Sequence, residues 1–235
     1  MRVTYASQIA ASNVDLHVTE DHVEKVGDLI AEQARAGGSI VLAGGTTPGP
    51  AYRRAAATAP DWGRVTVWWG DERCVRPDDE RSNYLVAKQN LLDLLERPPH
   101  AVHRIRGELQ PADAAGELDH ALDGAELDLL LLGLGSDGHV ASLFPGSPQL
   151  AVENHRATSG PAGLEPWVDR VTMTLPTLLS AHRIVVHVAG AGKADAVAKA
   201  FGGEISREVP ASLLRVAPVP VEVWSDAAAA AKIDG

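Results

Sequence analysis

The hydrophobic positions of this chain fall into short uninterrupted runs, and longer amphipathic stretches separate these runs. Short continuous apolar runs are typical of strands that are buried on both faces of a parallel sheet. The pattern therefore predicts strands at residues 39–45, 65–71, 127–135, 183–190 and 221–226, with weaker strand candidates at 102–107 and 170–174.

The stretches between these runs carry apolar residues at helical spacing, with caps and breakers at their ends. We predict helices at 19–36, 82–95, 111–122 and 191–201, a long loop at 145–168, and a fraying helix in the last residues, 227–235. Alternation of strands and helices at this spacing favours an α/β fold, a doubly wound and mostly parallel sheet flanked by helices. We expect residues 1–235 to form a single domain, since 235 residues can bury one large core.

Composition and charge narrow the function classes. The net charge is −10 and no run of Lys or Arg appears, so we expect neither a nucleic acid nor an anionic membrane surface as partner. The longest aliphatic run is too short to span a bilayer, and residues 1–13 lack the features of a signal peptide. Cys74 is the only cysteine, which rules out an internal disulfide and is consistent with a cytoplasmic location.

The first candidate site segment follows the strand at 39–45. Gly44, Gly45 and Thr46 precede a proline and a helical pattern. Glycines let a backbone approach a ligand closely, and the following helix N-terminus favours an anion, so a phosphate or a lactone ring is a candidate ligand. The segment matches neither a dinucleotide fingerprint nor a P-loop, and the alternative is a simple tight turn.

The second segment, residues 68–84, places Asp71, Glu72 and Arg73 at the end of a strand. Side chains alternate along an extended backbone, so we expect Asp71 and Arg73 to face a ligand together while Glu72 points away. The alternative is a charge-rich solvated loop, which is how we interpret residues 78–81.

The third segment, residues 133–146, reads GLGSDGHVASLFPG and follows the most apolar strand. It holds His139 in a glycine-rich turn, two residues after Asp137, which could orient the imidazole. The segment contains no GxSxG nucleophile motif and no second histidine at metal-ligand spacing. General-base hydrolysis without a metal is the simplest chemistry that it supports.

Two cations complete the candidate site. Arg170 lies in a weaker strand candidate, and Lys193 lies where a strand gives way to a helix. Both fall on the proposed ligand edge, where Lys193 would suit a phosphate. The alternative for either residue alone is an ordinary surface cation.

The segments AGGTTP, WWGDER, GLGSDGHVASLFPG, DRVTMTLPTLL and VAGAGKADAV, in this order, resemble the 6-phosphogluconolactonase family between Ile40 and Leu214. The resemblance implies a fold of the ribose-5-phosphate isomerase and CoA-transferase-like group. It also implies hydrolysis of 6-phospho-D-glucono-1,5-lactone to 6-phosphogluconate. We expect no cofactor, and a small-molecule phosphosugar lactone as partner. The family's catalytic His and its accompanying Asp fall on His139 and Asp137, its DER arginine on Arg73, and its phosphate-side cations on Arg170 and Lys193. Residues 155–168 match less well.

Two alternatives stay open. Glucosamine-6-phosphate deaminases are similar in fold, and Asp71 could serve them as a base between C1 and C2. The VASLFPG that follows His139 favours the lactonase, because the deaminase motif continues differently there. A non-catalytic sugar-phosphate sensor is less favoured, since neither chain end carries a basic helix-turn-helix.

Overall fold

A computed structural model describes residues 13–233 and shows an α/β architecture around a parallel sheet. In these residues its strands are β1 (Val14–Val18), β2 (Gly38–Leu42), β3 (Val65–Trp69), β5 (Ala101–His103), β6 (Leu129–Leu132), β9 (Ile184–Val188) and β10 (Val221–Ser225). The strand order is β1-β10-β9-β6-β2-β3-β5, and every neighbouring pair is parallel.

The helices lie between the strands along the chain, as the alternating pattern predicts. They are α1 (His22–Ala36), α2 (Gly49–Thr58), α3 (Asn83–Asn90), α4 (Pro111–Ala121), α5 (Leu175–Leu179) and α6 (Ala194–Val197). A 3₁₀ turn at Ala191–Lys193 precedes α6 and a π-helical turn at Ala198–Gly202 follows it, so the predicted helix at 191–201 is present but irregular.

Burial along the strands explains why their sequences differ. The central strands β6 and β9 are buried at every position, which matches their continuous apolar runs. The edge strand β1 has only one buried residue, Val14, because a single neighbour covers it. Its alternating sequence, VDLHV, lacks the continuous apolar run of a central strand, and the sequence analysis therefore missed it.

A second, antiparallel sheet joins β4 (Asp71–Arg73), β8 (Arg170–Met173) and β7 (Ala157–Gly160), in that order. Gly70 connects it to the parallel sheet, because its N–H donates to the Leu42 carbonyl (3.1 Å) and its carbonyl accepts from the Met173 N–H (2.8 Å). This small sheet lies at the carboxyl end of β3 and carries Asp71, Arg73 and Arg170.

Two of the predicted segments are wrong. Residues 145–168 are not a featureless loop, since they contain a 3₁₀ turn at Pro148–Ala151 and strand β7, which pairs with β8. Residues 227–232 form turns in place of the predicted helix, and residues 234–235 lie outside the described part. The predicted absence of a signal peptide concerns residues 1–13, and all of these except residue 13 lie outside the described part. Across residues 13–233, no helix is long and apolar enough to cross a membrane.

Tyr52 ties α2 to the end of β2 and so fixes the start of the first site loop. Its fully buried hydroxyl accepts from the Ala43 N–H (2.9 Å) and donates to the Ala43 carbonyl (2.7 Å). The Tyr52 hydroxyl thereby provides the hydrogen-bond partner of both backbone groups of Ala43 at the sheet edge.

We expect Tyr52→Phe to lower the free energy of unfolding by about 1–3 kcal/mol, because it leaves two buried backbone groups without this partner. Urea denaturation measures the change. Tyr84→Phe is the matched control, since Tyr84 is half-buried and its hydroxyl makes no hydrogen bond within residues 13–233. Equal losses in the two variants would contradict the role of the Tyr52 hydroxyl.

Candidate active site

A cavity of about 300 Å³ opens at the carboxyl edge of the parallel sheet. The loops after β2, β3, β6 and β9 supply most of its walls. This is the place where open α/β sheets bind ligands, and the volume suits a small molecule. Of the predicted site residues, seven line this one cavity: Gly44, Gly45, Thr46, Asp71, Arg73, His139 and Lys193.

The loop after β2 forms one wall. Gly45 has a φ of 85°, a conformation that favours glycine, and an added Cβ there would meet no atom within 4 Å. Gly44 differs, because a Cβ at Gly44 would lie 1.8 Å from Oδ1 of Asn83. Gly44 is therefore required by a neighbouring side chain, a reason that the sequence analysis did not foresee.

Strand β4 presents Asp71 and Arg73 on one face and Glu72 on the other, as the alternation predicts. Asp71 and Arg73 line the cavity and are half-buried, whereas Glu72 is only 2% exposed. Asp71 Oδ2 accepts from the Ser142 hydroxyl (2.6 Å), and Arg73 Nη1 donates to the Arg81 carbonyl (2.6 Å).

Glu72 anchors this wall from behind. Its carboxylate accepts from the N–H groups of Asn83 (2.7 Å), Tyr84 (2.8 Å) and Arg73 (2.8 Å), and from the Ser82 hydroxyl (2.9 Å). Burial raises the pKa of Glu72, although these donors oppose the shift. The carboxylate satisfies the free N–H groups at the start of α3 and joins that helix to β4.

His139 and Asp137 form a hydrogen-bonded pair in the loop after β6. Nδ1 of His139 lies 2.6 Å from Oδ1 of Asp137, which also accepts the His139 backbone N–H (3.1 Å). The ring packs against Phe144, with 4.6 Å between ring centroids. A Cβ at Gly135 would lie 2.0 Å from Nδ1, so glycine is needed there to make room for the imidazole.

This pairing decides what the imidazole can do. An ionised carboxylate can only accept, so Nδ1 carries the proton and Nε2 is left with a free lone pair. Burial raises the pKa of Asp137, but the hydrogen bonds and charge of His139 outweigh that effect and hold it below its ordinary value. Asp137 therefore stays ionised and lies behind His139, which lines the cavity.

The two predicted cations lie in different places. Lys193 lines the main cavity and donates through Nζ to the Leu134 carbonyl (2.6 Å). Arg170 is 3% exposed and lines an adjoining cavity of about 120 Å³ that shares Asp71, Arg73 and His139 with the main one. Lys193 and Arg170 thus line two adjoining cavities, and their joint contact with a phosphate stays a prediction.

Burial lowers the pKa of Lys193, and the charge of Asp137 partly offsets this effect. Burial and then the positive charge of Arg73 lower the pKa of Arg170. The Arg170 guanidinium donates to the carbonyls of Pro166 (2.9 Å) and Val168 (3.1 Å), and so it holds the loop that borders the smaller cavity.

The sequence analysis missed three residues of the site. Asn83 and Ser142 contact Asp71, and Glu72 was expected only to point away. The predicted helix start at Ser82 places Asn83 in the first turn of a helix. Nothing in the local sequence, however, indicates that α3 begins beside β4. Among the residues that the structure describes, no group of three or more His, Cys, Asp or Glu is placed to hold a metal ion.

Comparison with known proteins identifies the family of this chain. Two relatives named 6-phosphogluconolactonase are similar to the chain. The one from Nostoc sp. strain PCC 7120 is 35% identical over 203 residues, covering 82% of this chain and 80% of the relative. The one from Synechocystis sp. strain PCC 6803 is 36% identical over 206 residues, covering 81% and 82%.

Solved structures agree in fold. The crystal structure of a devB protein is 32% identical with a TM-score of 0.83, covering 94% of this chain and all of that one. A monomeric glucosamine-6-phosphate deaminase has a TM-score of 0.82 at 22% identity, which shows a common fold alone. The family model described as glucosamine-6-phosphate isomerases/6-phosphogluconolactonase matches residues 10–222. The chain therefore belongs to the glucosamine-6-phosphate isomerase/6-phosphogluconolactonase family.

Proposed function

We propose that this chain is a 6-phosphogluconolactonase that hydrolyses 6-phospho-D-glucono-1,5-lactone to 6-phosphogluconate in the cytoplasm. The observation that carries the proposal is the pair of His139 and Asp137 at the cavity, with 2.6 Å between Nδ1 and Oδ1. The names of the relatives supply the substrate, and the geometry supplies a general base suited to ester hydrolysis.

Substrate binding begins with the phosphate. Lys193 supplies a positive charge in the main cavity, and the N–H groups of Gly44–Thr46 lie before the start of α2, where an anion is favoured. A phosphate held between these two walls directs the sugar lactone toward His139, which lines the same cavity. Arg170 borders the adjoining cavity and extends the positive charge around Arg73.

The chemical step needs only groups already in place. Nε2 of His139 takes a proton from water while the water oxygen attacks the lactone carbonyl carbon, C1. The carbonyl oxygen gains negative charge, which the Arg73 guanidinium stabilises. The tetrahedral intermediate then collapses, the bond between C1 and the ring oxygen breaks, and the protonated imidazole gives its proton to that oxygen. The product is the open-chain carboxylic acid, and no cofactor takes part.

Asp137 supports both halves of this proton transfer. Its carboxylate holds the tautomer with the proton on Nδ1 and stabilises the positive imidazole that forms during the reaction. Because the pKa of Asp137 is held low, the carboxylate keeps its charge through the cycle.

We expect His139→Ala to lower kcat by about 10²–10⁴-fold, the usual contribution of a general base. Asp137→Asn should cause a smaller fall in kcat at nearly unchanged KM, because the ring loses its charged partner but keeps its place. Both are measured as lactone hydrolysis above the spontaneous rate. His182→Ala is the control, since His182 forms an exposed pair with Asp128 (3.2 Å) away from the cavity. A near-normal kcat in His139→Ala would remove the proposed base.

Lys193→Ala should mainly raise KM, by about 10- to 100-fold, because one charged hydrogen bond to the phosphate is lost. Steady-state kinetics with the phosphorylated lactone and with unphosphorylated glucono-1,5-lactone tests whether the rise in KM comes from the lost contact with the phosphate. The change should vanish for the substrate without a phosphate. Lys199→Ala, an exposed lysine on the following turn, should leave both constants unchanged. An equal effect on both substrates would place Lys193 away from the phosphate.

The related deaminase activity is tested by ammonia release from glucosamine 6-phosphate. We expect none at an enzymatic rate, because the relatives described above are named 6-phosphogluconolactonase and the sequence after His139 differs from the deaminase motif. Enzymatic ammonia release by the wild-type protein would overturn the lactonase assignment.

A further inference from the structure

Asn83 lies between the two charged residues of β4. It is the first residue of α3, is only 1% exposed and lines the main cavity. Its Nδ2 donates to the backbone carbonyl of Asp71 (2.8 Å) and to Oδ1 of Asp71 (3.1 Å), and its Oδ1 accepts from Nη1 of Arg73 (2.5 Å).

The chemistry of the neighbours fixes which way the amide faces. A guanidinium can only donate, so the oxygen must point toward Arg73, and the carbonyl and carboxylate of Asp71 can only accept, so the nitrogen must point toward them. Only an amide of this size satisfies both sides. An aspartate would lack the donor and place a second negative charge beside Asp71.

The surroundings leave this amide little freedom. Glu72 accepts the Asn83 backbone N–H (2.7 Å) and so fixes the start of α3. Gly44 leaves open the volume that the amide fills, since its added Cβ would lie 2.0 Å from Cγ of Asn83. The side chain is therefore held by its own backbone, by the loop after β2 and by both of its hydrogen-bonded neighbours.

We propose that Asn83 is a positioning residue for the reaction, holding Arg73 and Asp71 in one fixed arrangement so that the Arg73 guanidinium faces the cavity. The reaction concerned is the lactone hydrolysis proposed above, and the inference rests on that function for its kinetic readout. Asn83 acts through Arg73, and its removal lets the guanidinium adopt other orientations toward the carbonyl oxygen.

The first test is Asn83→Ala, which should lower kcat by roughly 10- to 100-fold with a smaller change in KM, a loss below that of deleting a stabilising donor outright. The matched control is Asn90→Ala on the same helix, which should keep wild-type kinetics. In an Arg73→Ala background the same Asn83→Ala change should have little further effect, because its route of action is already gone. Independent, additive effects of the two substitutions would overturn the proposal.

The second test is Asn83→Asp, which keeps the size of the side chain and so serves even where the alanine variant fails to fold. Burial and the negative charge of Asp71 raise the pKa of the introduced carboxyl, the positive charge of Arg73 opposes this rise, and the protonated form regains a donor toward Asp71. The activity of Asn83→Asp relative to wild type should therefore rise toward acid pH, while the relative activity of Asn83→Ala stays flat. A pH-independent ratio for Asn83→Asp would contradict the proposed role.

These tests separate the inference from the function itself. A wild-type protein that does not hydrolyse the lactone overturns the proposed function. In that event, crystal structures of Asn83→Ala and wild type decide the positioning role, and an Arg73 side chain that stays in place overturns it. Wild-type hydrolysis together with normal kinetics in both Asn83 variants leaves the function standing and removes the inference alone.

Discussion

The buried carboxylate of Glu72 holds together the cavity wall that β4 and the start of α3 form. A carboxylate without partners would be costly at 2% exposure, but four donors from β4 and the start of α3 surround this one. One interaction thus fixes a strand and a helix that are adjacent in space and separated by a charged loop. With the backbone of β4 held on that side, Asp71 and Arg73 can only face the cavity.

The parallel sheet supplies the second constraint. Each parallel strand ends at the same edge, so loops that are far apart in sequence meet there. The loops after β2, β6 and β9 bring the Gly44–Thr46 turn, His139 and Lys193 to one cavity. The small antiparallel sheet closes the remaining side, because Gly70 bonds it to β2 on one side and to β8 on the other.

Two glycines at this edge make space for side chains. Gly44 admits the amide of Asn83, and Gly135 admits the imidazole of His139, where a Cβ would lie 2.0 Å from Nδ1. For Gly44, close approach to a ligand was the reason expected from the sequence. The tertiary structure shows that these glycines also permit the hydrogen bonds that orient Asn83 and His139, so they set the geometry of the site before any ligand binds.

The sequence by itself determined the α/β class, the central strands and the residues at their carboxyl ends. Those features depend on local patterns, such as the apolar runs of β6 and β9 and the alternation along β4. It did not determine strands β1 and β7, whose short sequences lack a continuous apolar run and which pair with β10 and β8. Only the tertiary structure decided that Asn83 joins Asp71 to Arg73, and that Lys193 and Arg170 line two adjoining cavities. Local spacing predicts which edge of the sheet a side chain reaches, whereas its partner across that edge is decided by how distant segments pack.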